Sequence, residues 1–430
     1  MTRPYTVIVC PMEAPPNAIP LYTWDECVEL LRSDVADQGI HLAAYKWPAE
    51  EPIWRGRGPF MLDGPGHIRQ RRALSTLFRP QARARYREEH LVPQLRADLD
   101  ALLAAPDEDG VVRTDLVPFA HRFFSTMAVR LTGIEIESAA DRDLVLDLLA
   151  KILNNSGLGS LPDDEAERRI AQGLAAMEEL AAHFYRPSLA RRQELLRGVE
   201  AGTVAAQDVP KDLMTLLARR DDPRWEDEEQ AVGTLLTHML GGAGTTVHPL
   251  PWALLELDRW LEHHPADRDR LTDREFLLGV VAETLRLHPS SPYLFRVARQ
   301  DITLRSGVEI PEGAVACCMV YHANRDPQAF GENAATFDPC RPASGGMHPY
   351  GLAFGMGRHL CIGFPVVTGS QGVDGVEVEV LHALLAAGIR SDPDAAGTLV
   401  DHPYRESFVS YPVVFIPGAR TRPLAASSVA

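Results

Sequence analysis

The sequence predicts a mainly α-helical fold with a small β-rich part, and its apolar periodicity is the reason. In the first part of the chain, apolar residues recur three and four positions apart, as on one face of an α-helix. The clearest helical segments are 116–132, 139–153, 165–185, 212–219, 228–260 and 273–287. After Pro289 the pattern changes to the short alternation typical of strands, and Gly307 marks a turn within 301–320.

The remaining elements favour one domain. Thr272 followed by Glu275 is typical of a capping box at the start of the last predicted helix. A loop-rich stretch covers 322–363, and more helix and a strand-like tail at 407–416 follow it. A length of 430 residues suggests two domains, but no linker divides the chain, so we expect residues 1–430 to form a single domain.

Charge and cysteine content narrow the classes of function. The 43 basic and 59 acidic residues give a formal net charge of −16, which argues against sequence-independent nucleic-acid binding. No stretch approaches the ~18 consecutive apolar residues of a membrane span, so we expect a cytoplasmic protein with no membrane partner. The six cysteines include no CxxC pair, so neither a disulfide framework nor a four-cysteine zinc site is expected.

The segment 354–363, FGMGRHLCIG, is the strongest chemical signal, because glycines surround a single cysteine. Gly355 and Gly357 permit positive φ and allow the backbone to approach a flat ligand closely. Pro365 is placed as in the first turn of a helix, where free N–H groups and the helix dipole favour a Cys361 thiolate. The segment therefore predicts a site built around a thiolate.

Two other interpretations of this loop are disfavoured by spacing. A dinucleotide-binding GxGxxG loop would need glycine where the chain has Leu360. A zinc site would have to use ligands whose spacing fits no structural zinc pattern. These candidate ligands are Cys340, His348, His359 and Cys361.

A second unusual segment is 235–255, where glycines and threonines interrupt an apolar helical pattern. Gly241, Gly242 and Gly244 lie inside this predicted helix, although glycine destabilises a helix by about 1 kcal/mol relative to alanine. A phosphate-binding loop would need a preceding strand and a following lysine, and neither is present. The segment also contains Pro249 and Pro251, which predict a kink or break.

The third signal is an acid–base pair, Glu283 and Arg286, in the last predicted helix. The same ExxR spacing occurs elsewhere in the chain, for example at Glu194 and Arg197, where a solvated pair is the simpler interpretation. The apolar surroundings of Glu283 distinguish this pair and predict that it is buried.

Together these motifs resemble the cytochrome P-450 family. Its FGxGxHxCxG loop is matched by Phe354, Gly355, Gly357, His359, Cys361 and Gly363. The resemblance implies that fold, with haem b held between the long central helix and the cysteine loop, and Cys361 as the axial iron ligand. Such a thiolate favours O–O cleavage. The metal expected is therefore haem iron, with O2 as cosubstrate.

The resemblance also implies roles for other residues. Thr245 would help to deliver protons, beside Thr246 and Gly242 in the oxygen groove. Glu283 and Arg286 would form a structural cluster with Arg341. The haem propionates would be bound by His67, Arg71, Arg296 and His359.

The sequence departs from the family pattern at three places. Gly244 stands where the family has an acidic residue, so water, His238 or the substrate would have to complete proton delivery. The N-terminal segment before the first predicted helix is short. After the cysteine loop, glycines interrupt the expected helix and the segment at about 366–380 is longer than usual.

The favoured function is that of a monooxygenase acting on a medium-sized organic molecule, in bacterial secondary metabolism such as antibiotic biosynthesis. Electrons from NAD(P)H would arrive through a separate ferredoxin reductase and ferredoxin. Gly244 keeps peroxide-driven oxidation or oxidative coupling open, and a haem-binding sensor or carrier is the non-enzymatic alternative. The candidate substrate walls are Thr237, Leu240, Gly241, Tyr293, Leu294, Phe295, Phe408 and Val409.

Overall fold

Helices make up most of the structure, which confirms the predicted fold class. The computed structural model describes residues 18–38, 58–153, 163–342, 347–370, 372–400 and 406–416. The prediction of a short N-terminal segment concerns residues that lie mostly outside these ranges. The helices are α1 (Trp24–Arg32), α2 (Gly64–Leu74), α3 (Pro80–Tyr86), α4 (Val92–Leu103), α5 (Leu116–Thr132), α6 (Ala139–Leu153), α7 (Asp163–Leu180), α8 (Arg186–Glu200), α9 (Leu213–Arg219), α10 (Glu228–Thr246), α11 (Pro249–His263), α12 (Arg274–Leu287), α13 (Val320–Ala323), α14 (Pro327–Phe330), α15 (Phe364–Thr368) and α16 (Val376–Ala386).

The β-rich part consists of short strands, and the strand over 293–298 was not predicted. The strands are β1 (Ile19–Leu21), β2 (Ala36–Gln38), β3 (Val112–Asp115), β4 (Tyr293–Ala298), β5 (Ile302–Thr303), β6 (Glu309–Ile310), β7 (Val315–Met319), β8 (Gly369–Ser370), β9 (Val373–Asp374), β10 (Ile389–Ser391), β11 (Thr398–Leu399), β12 (Phe408–Ser410) and β13 (Pro412–Phe415).

The largest sheet has the strand order β1-β7-β4-β2. Strand β1 pairs in parallel with β7, whereas β4 pairs antiparallel with both β7 and β2. Residues far apart in the chain are thereby brought together: Gln38 lies opposite Arg296 in the register of β2 and β4. This sheet therefore fixes the position of one of the predicted propionate-binding arginines.

Two predictions about helix ends have different outcomes. The capping box at Thr272 was wrong, because Asp273 is the N-cap of α12 and its carboxylate accepts a hydrogen bond from the Glu275 N–H. Asp273 lies one residue nearer the helix and presents a stronger acceptor to its first turn. The predicted break in the long central helix is confirmed, since α10 ends at Thr246 and α11 begins at Pro249.

The core lies around α10 and the helices that pack on it. Helix α5 packs along α10 closely enough that a Cβ on Gly242 would lie 3.1 Å from the Cβ of Ala128. Small residues at this crossing allow two helix backbones to approach. The apolar cluster at this interface includes Val129, Met239 and Leu240. No helix in the described ranges combines the length and the apolar character that a bilayer crossing requires.

The segment after the cysteine loop is interrupted. Helix α15 has only five residues, and β8 and β9 form a small hairpin before α16 begins. Arg83 fixes this hairpin: its Nη1 donates to the Pro365 carbonyl at 2.9 Å and its Nη2 donates to the Ser370 hydroxyl at 2.9 Å. Arg274 binds the other strand through Asp374, with 2.6 Å between Nη1 and Oδ2. The hairpin is therefore attached from two sides.

Glu377, in the first turn of α16, is a buried acid that forms no ion pair with any residue the structure describes. Its side chain is 1% exposed, and its Oε1 atom has no hydrogen-bond partner among the described residues. Burial raises the pKa of Glu377 well above its ordinary value, because the apolar surroundings disfavour the charged form.

We expect Glu377→Gln to stabilise the protein at neutral pH. The favourable contribution of the protonated Glu377 is complete below the ordinary pKa of about 4.5 and is lost as pH rises, since only the unfolded chain ionises freely. The stability advantage of the variant should grow as the pH rises above about 4.5, by up to about 1.4 kcal/mol per pH unit. Urea unfolding at several pH values measures it. Glu312→Gln, at an exposed position, is the control, and parallel pH profiles of wild type and Glu377→Gln would contradict the assignment.

Candidate active site

One stripe of α10 is accessible although the rest of its second half is buried. Spaced three and four residues apart, these accessible residues lie on one face of the helix. They are Thr237, His238, Gly241, Gly242, Gly244 and Thr245. A Cβ on Gly241 would meet no atom within 4 Å, so the stripe borders open space.

The hydroxyl groups at the end of α10 bond back to their own helix. Thr245 Oγ1 donates to the Gly241 carbonyl at 2.6 Å, and Thr246 Oγ1 donates to the Gly242 carbonyl. Thr245 is accessible, whereas Thr246 is 7% exposed. Of the two predicted hydroxyls, only Thr245 therefore faces the open side of the helix.

Ser290 binds a carbonyl group that the break in the central helix leaves without its usual donor. Pro249 has no N–H, so the Thr245 carbonyl lacks its usual partner four residues later. The Ser290 hydroxyl donates to this carbonyl instead, with an Oγ-to-oxygen distance of 2.7 Å. The loop after α12 thus fixes the end of α10 at Thr245. Only the missing proline donor signalled this contact in the sequence, and it did not identify the partner.

The cysteine loop is held against α1. Gly355 and Gly357 both have φ of +70°, and a Cβ on Gly357 would lie 2.4 Å from the Leu31 carbonyl oxygen. Arg358 Nη2 donates to the carbonyl of Ser33 at 3.1 Å. The Cys361 N–H donates to the Phe354 carbonyl at 2.8 Å, which closes the loop. The glycines are therefore needed because the loop packs directly on another backbone.

The Cys361 thiol lies in an enclosed region and still presents free surface. Burial raises its pKa above the ordinary value, while hydrogen bonds from the Gly363 and Phe364 N–H groups and the charge of Arg71 act in the opposite direction. Part of the Cys361 residue nevertheless remains exposed to solvent. Cys361 is therefore enclosed by protein but not fully covered, as expected for a residue in the wall of an interior cleft.

A group of histidines and arginines lies near this cleft. The His67 and His359 rings are 4.2 Å apart between centroids. Burial, followed by the charges of His359 and Arg71, lowers the pKa of His67 to about 4, so His67 is neutral at physiological pH. Burial lowers the pKa of Arg71, and the Cys361 thiol opposes this change. These groups are thus close to one another and to the thiol.

Asp63 is a member of this group that the motifs did not identify. Its Oδ1 atom lies 3.0 Å from His359 Nε2, and its Oδ2 atom accepts from the Gln38 N–H at 3.0 Å. Burial acts to raise the pKa of Asp63, but these hydrogen bonds and the charges of His359 and Arg358 lower it overall. Its position directly before α2, where capping acids are common, was the available signal.

Arg296 reaches the same region from the sheet. Its side chain is 4% exposed, and its Nη1 donates to Gln38 Oε1 and to the Phe295 carbonyl, both at 2.7 Å. Burial lowers the pKa of Arg296, although arginine remains charged. The charge of Arg296 interacts with that of Asp63, which is the one carboxylate among the described residues that affects the pKa of Arg296.

The structural cluster brings Glu283, Arg286 and Arg341 together. Glu283 binds Arg286 through two contacts of 2.6 and 2.7 Å, and Arg341 Nε lies 3.1 Å from Glu283 Oε1. Arg286 is 0% exposed, and its Nη1 also donates to the carbonyls of Asn324 and Ala334 at 2.6 Å. Every charge in the cluster is therefore paired or hydrogen-bonded.

The candidate substrate residues on β4 point in two directions. Tyr293 and Phe295 are buried in a small cluster with Cys317 and Met319. Leu294, on the other face of the strand with Arg296, lies toward the cysteine loop, since its Cδ1 is 3.6 Å from a Cβ placed on Gly355.

The other candidate substrate residues are also distributed unequally. On α10, Thr237 lies against Gly58 and Gly241 is accessible, whereas Leu240 is 7% exposed and packs in the core. Phe408 is buried against Trp252, with 4.8 Å between ring centroids, and Val409 is 53% exposed. Leu294 and the stripe of α10 are thus the candidates that lie nearest to the cleft.

These residues fit a haem held by a thiolate. Cys361 provides an accessible soft ligand in an enclosed region, and the neighbouring group of His67, Arg71, Arg296 and His359 suits carboxylates. Ile362, next to the thiol, packs on the same apolar cluster as Met239 and Leu240 of α10. The fold and site together define a helical protein that presents a cysteine thiol and a group of cations to one interior cleft.

Comparison with known proteins agrees with this class. The sequence model of the family described as Cytochrome P-450 matches residues 36–366. The chain therefore belongs to the cytochrome P-450 family. Putative cytochrome P-450 133B2 from Xylella fastidiosa (strain 9a5c) is 27% identical over 237 residues, which cover 55% of this chain and 51% of that protein. The chain thus spans about half the length of the curated relatives at the head of this comparison.

Solved structures of the family share the fold over a larger part of the chain. CYP109B1 from Bacillus subtilis has a TM-score of 0.69 and 17% identity, and the match covers 93% of each chain. HmtT, involved in himastatin biosynthesis, has a TM-score of 0.69 and 23% identity, with 92% of this chain and 91% of that chain covered. At these identities the likeness shows the fold.

We expect Glu283→Ala to destabilise the protein by about 3–5 kcal/mol, because it leaves two buried arginines without their carboxylate. Urea unfolding measures the change. Glu194→Ala is the matched control: it has the same spacing to Arg197, but both side chains are exposed, so a change within about 0.5 kcal/mol is expected. Equal effects of the two substitutions would contradict the buried cluster.

We expect Ser290→Ala to loosen the end of α10, because the Thr245 carbonyl loses its donor. Hydrogen exchange at the amides of 245–248 should become about fivefold faster, which corresponds to about 1 kcal/mol. Ser291→Ala is the control, since the described residues provide Ser291 with no hydrogen-bond partner. Unchanged exchange in the first variant would show that Ser290 does not hold this helix end.

Proposed function

We propose that this chain is a haem-thiolate monooxygenase that activates O2 and transfers one oxygen atom to a medium-sized organic substrate. The observation that carries the proposal is Cys361, an exposed cysteine in an otherwise enclosed region, beside the half-buried Arg71 and its neighbours His67 and His359. A sensor or carrier would need the same ligand. However, it would have no use for the accessible stripe of glycines on α10.

The haem would be held at two places, its iron and its propionates. Cys361 would bind the iron, while Arg71, Arg296, His67 and His359 would bind the propionates. Haem iron with a thiolate ligand supplies the activation of O2 when it is bound. The protein contributes the orientation of the ligand and excludes water from it. The hydrogen bonds to Cys361 from Gly363 and Phe364 act against the effect of burial, which raises the pKa of the thiol, and so favour the thiolate needed for binding.

Thr245 is the hydroxyl proposed to hold a proton at the open side of α10. Its oxygen can accept a hydrogen bond there while it donates to Gly241, but it can donate there only if the bond to Gly241 breaks. The missing Cβ of Gly241 leaves room for a water molecule. Ser290 keeps the helix end in place during such a change, because it binds the Thr245 carbonyl and not the hydroxyl.

Three groups can complete proton delivery in place of the side chain that Gly244 lacks. His238 is one of them, as a relay: its Nδ1 lies 2.8 Å from the Thr234 carbonyl and therefore carries the hydrogen, which leaves Nε2 to accept a proton and pass it on. Burial lowers the pKa of His238, so the ring is neutral at physiological pH. A water molecule in the groove and a hydroxyl group of the substrate are the others.

The proposed electron donor is a ferredoxin, reduced by its reductase at the expense of NAD(P)H. Arg72 is exposed on α2 and is available to an acidic partner. Arg358 is less suitable, because it donates to the carbonyls of Ser33 and Ala36. The family likeness to HmtT supports a substrate in secondary metabolism, such as an antibiotic precursor.

A peroxide-driven enzyme is the second candidate, and Gly244 is the observation that favours it. Without an acid at this position, O2 activation has lost its usual proton relay, whereas hydrogen peroxide brings its own protons. Oxidative coupling of two rings is the related possibility, since it inserts no oxygen atom.

The first experiment is the absorption spectrum of the haem-loaded protein, reduced and treated with CO. The wild type should show the long-wavelength band of a thiolate ligand. Cys361→Ala should lose it because, in the part of the chain that the structure describes, no other thiol lies beside Arg71, and Cys340→Ala, at an exposed site elsewhere, should retain it. A thiolate band that persists in Cys361→Ala would refute the assignment.

Turnover then separates the candidate activities. Compounds that shift the Soret band are incubated with ferredoxin, ferredoxin reductase and NADPH, or with hydrogen peroxide alone. Oxygenated product only with the electron-transfer proteins supports the monooxygenase, and product with peroxide alone supports the second candidate. A normal CO spectrum without turnover of any binding compound would favour a carrier.

A further inference from the structure

A cavity of about 700 Å³ lies on the far side of α5 from α10. Its walls come from α3, from the π-helical turn Arg87–Leu91, from the end of α5 and from the segment before α9. The volume is within the ~300–1,000 Å³ range of pockets that bind small molecules. None of the residues assigned above to the haem, to oxygen or to the substrate lines it.

Three arginines line this cavity, and two of them have carboxylate partners. Arg85 Nε lies 2.7 Å from Glu89 Oε1. Arg192 binds Glu135 and Asp212, each at 2.8 Å. The charges of these residues are therefore balanced within the wall.

Arg130, the third arginine, has no such partner. Among the described residues, no carboxylate lies within 4.0 Å of its guanidinium, and no hydrogen bond to its side chain is formed. Its Nε atom is buried without a partner. An arginine that is partly removed from water and left unpaired is destabilising, so this position favours an external anion.

The two aromatic side chains nearest to Arg130 in the wall, Tyr86 and His90, carry no charge. The Tyr86 hydroxyl donates to the Met127 carbonyl at 2.9 Å, and burial raises the pKa of Tyr86, so it stays neutral. Burial, followed by the charge of Arg130, lowers the pKa of His90. His90 is therefore neutral at physiological pH. The guanidinium is thus the charge that a ligand would meet at this end of the cavity.

We propose that this cavity is a binding site for an organic monocarboxylate, with its carboxylate on Arg130. The planar guanidinium matches a carboxylate in two parallel hydrogen bonds. The apolar side chains of Leu77, Ile134 and Ile136 line the remainder of the wall and suit a hydrocarbon portion. The ligand class is therefore an amphipathic acid, such as a medium-chain fatty acid.

A doubly charged phosphate fits this site less well. Arg130 and Lys211 are the two cations of the wall that form no ion pair with the described residues, and Glu137 is the one carboxylate without such a pair, so the unpaired groups leave one positive charge. The paired carboxylates Glu89 and Asp212 repel additional negative charge. A single negative charge balances Arg130 without an excess. The proposal does not depend on the haem or on the monooxygenase assignment, since no residue of that site is involved.

The site also lies close to the helix crossing of the proposed active site. Ala128, against which Gly242 packs, is two residues from Arg130 on α5. Met127, whose carbonyl accepts a hydrogen bond from Tyr86, directly precedes Ala128. A ligand on Arg130 would therefore restrain the end of the helix that supports the middle of α10.

The test is calorimetric titration of the full-length protein with sodium decanoate, and with decanol as the uncharged probe. Decanoate should bind and decanol should bind at least about tenfold more weakly, because it lacks the charge that pairs with arginine. Arg130→Met should weaken decanoate binding by a similar factor. The Soret band, recorded in parallel, reports any binding at the haem separately.

Two further variants make the result specific. Arg122→Met removes the same charge from α5 at an exposed position, where Arg122 pairs with Asp143, and should bind decanoate like the wild type. Ile136→Trp fills the cavity, keeps Arg130 and should abolish binding even if Arg130→Met folds poorly. Equal decanoate affinity in wild type, Arg130→Met and Ile136→Trp would overturn the proposal. Decanoate binding that only shifts the Soret band and ignores these substitutions would overturn it as well.

Discussion

The buried pairing of Glu283 with Arg286 is the interaction on which the rest of the structure depends. Arg286 is fully buried and donates to the Asn324 carbonyl, while the Asn324 side chain donates to the Arg286 carbonyl and accepts from the Leu352 N–H. Leu352 in turn begins the cysteine loop, since its carbonyl accepts from the Gly355 N–H. Because a buried charge must have all its partners, this series of bonds fixes the distance between α12 and the loop that presents Cys361.

Two features of the sequence weaken the central helix near its break. Glycines give α10 an accessible stripe, and prolines remove the donors that would have closed the next turn. A helix with both features would fray if it were isolated. Ser290 and the packing of Ala128 on Gly242 hold it in place. The groove can therefore stay open within a buried helix, because Ser290 provides the missing hydrogen-bond donor and Ala128 provides the packing contact.

The pairing of charged side chains differs between three partly buried regions of the protein. Around the thiol, cations outnumber the single carboxylate of Asp63, as expected for a site that receives a dianionic cofactor. On the far side of α5, Arg130 forms no ion pair with the described residues, and its Nε atom has no hydrogen-bond partner among them. In the Glu283 cluster, by contrast, two arginines share one carboxylate, and backbone carbonyls accept their other hydrogen bonds. A partly buried cation without a hydrogen-bond partner thus indicates a binding site, whereas a cation whose donors are bound has a structural role.

The sequence alone determined the helical fold class, the family resemblance, the cysteine loop and the ExxR pair, because each depends on residues that are close together in the chain. The break at Pro249 was predictable for the same reason. Asp63, Arg83, Ser290 and Arg130 could not be found in this way. Their partners, or the absence of a partner, depend on packing: Arg83 binds a carbonyl 282 residues away, and His359 binds Asp63 across 296 residues. Short-range patterns encode which elements form, but only the tertiary structure decides which polar groups meet, because burial removes water and leaves each of them dependent on distant neighbours.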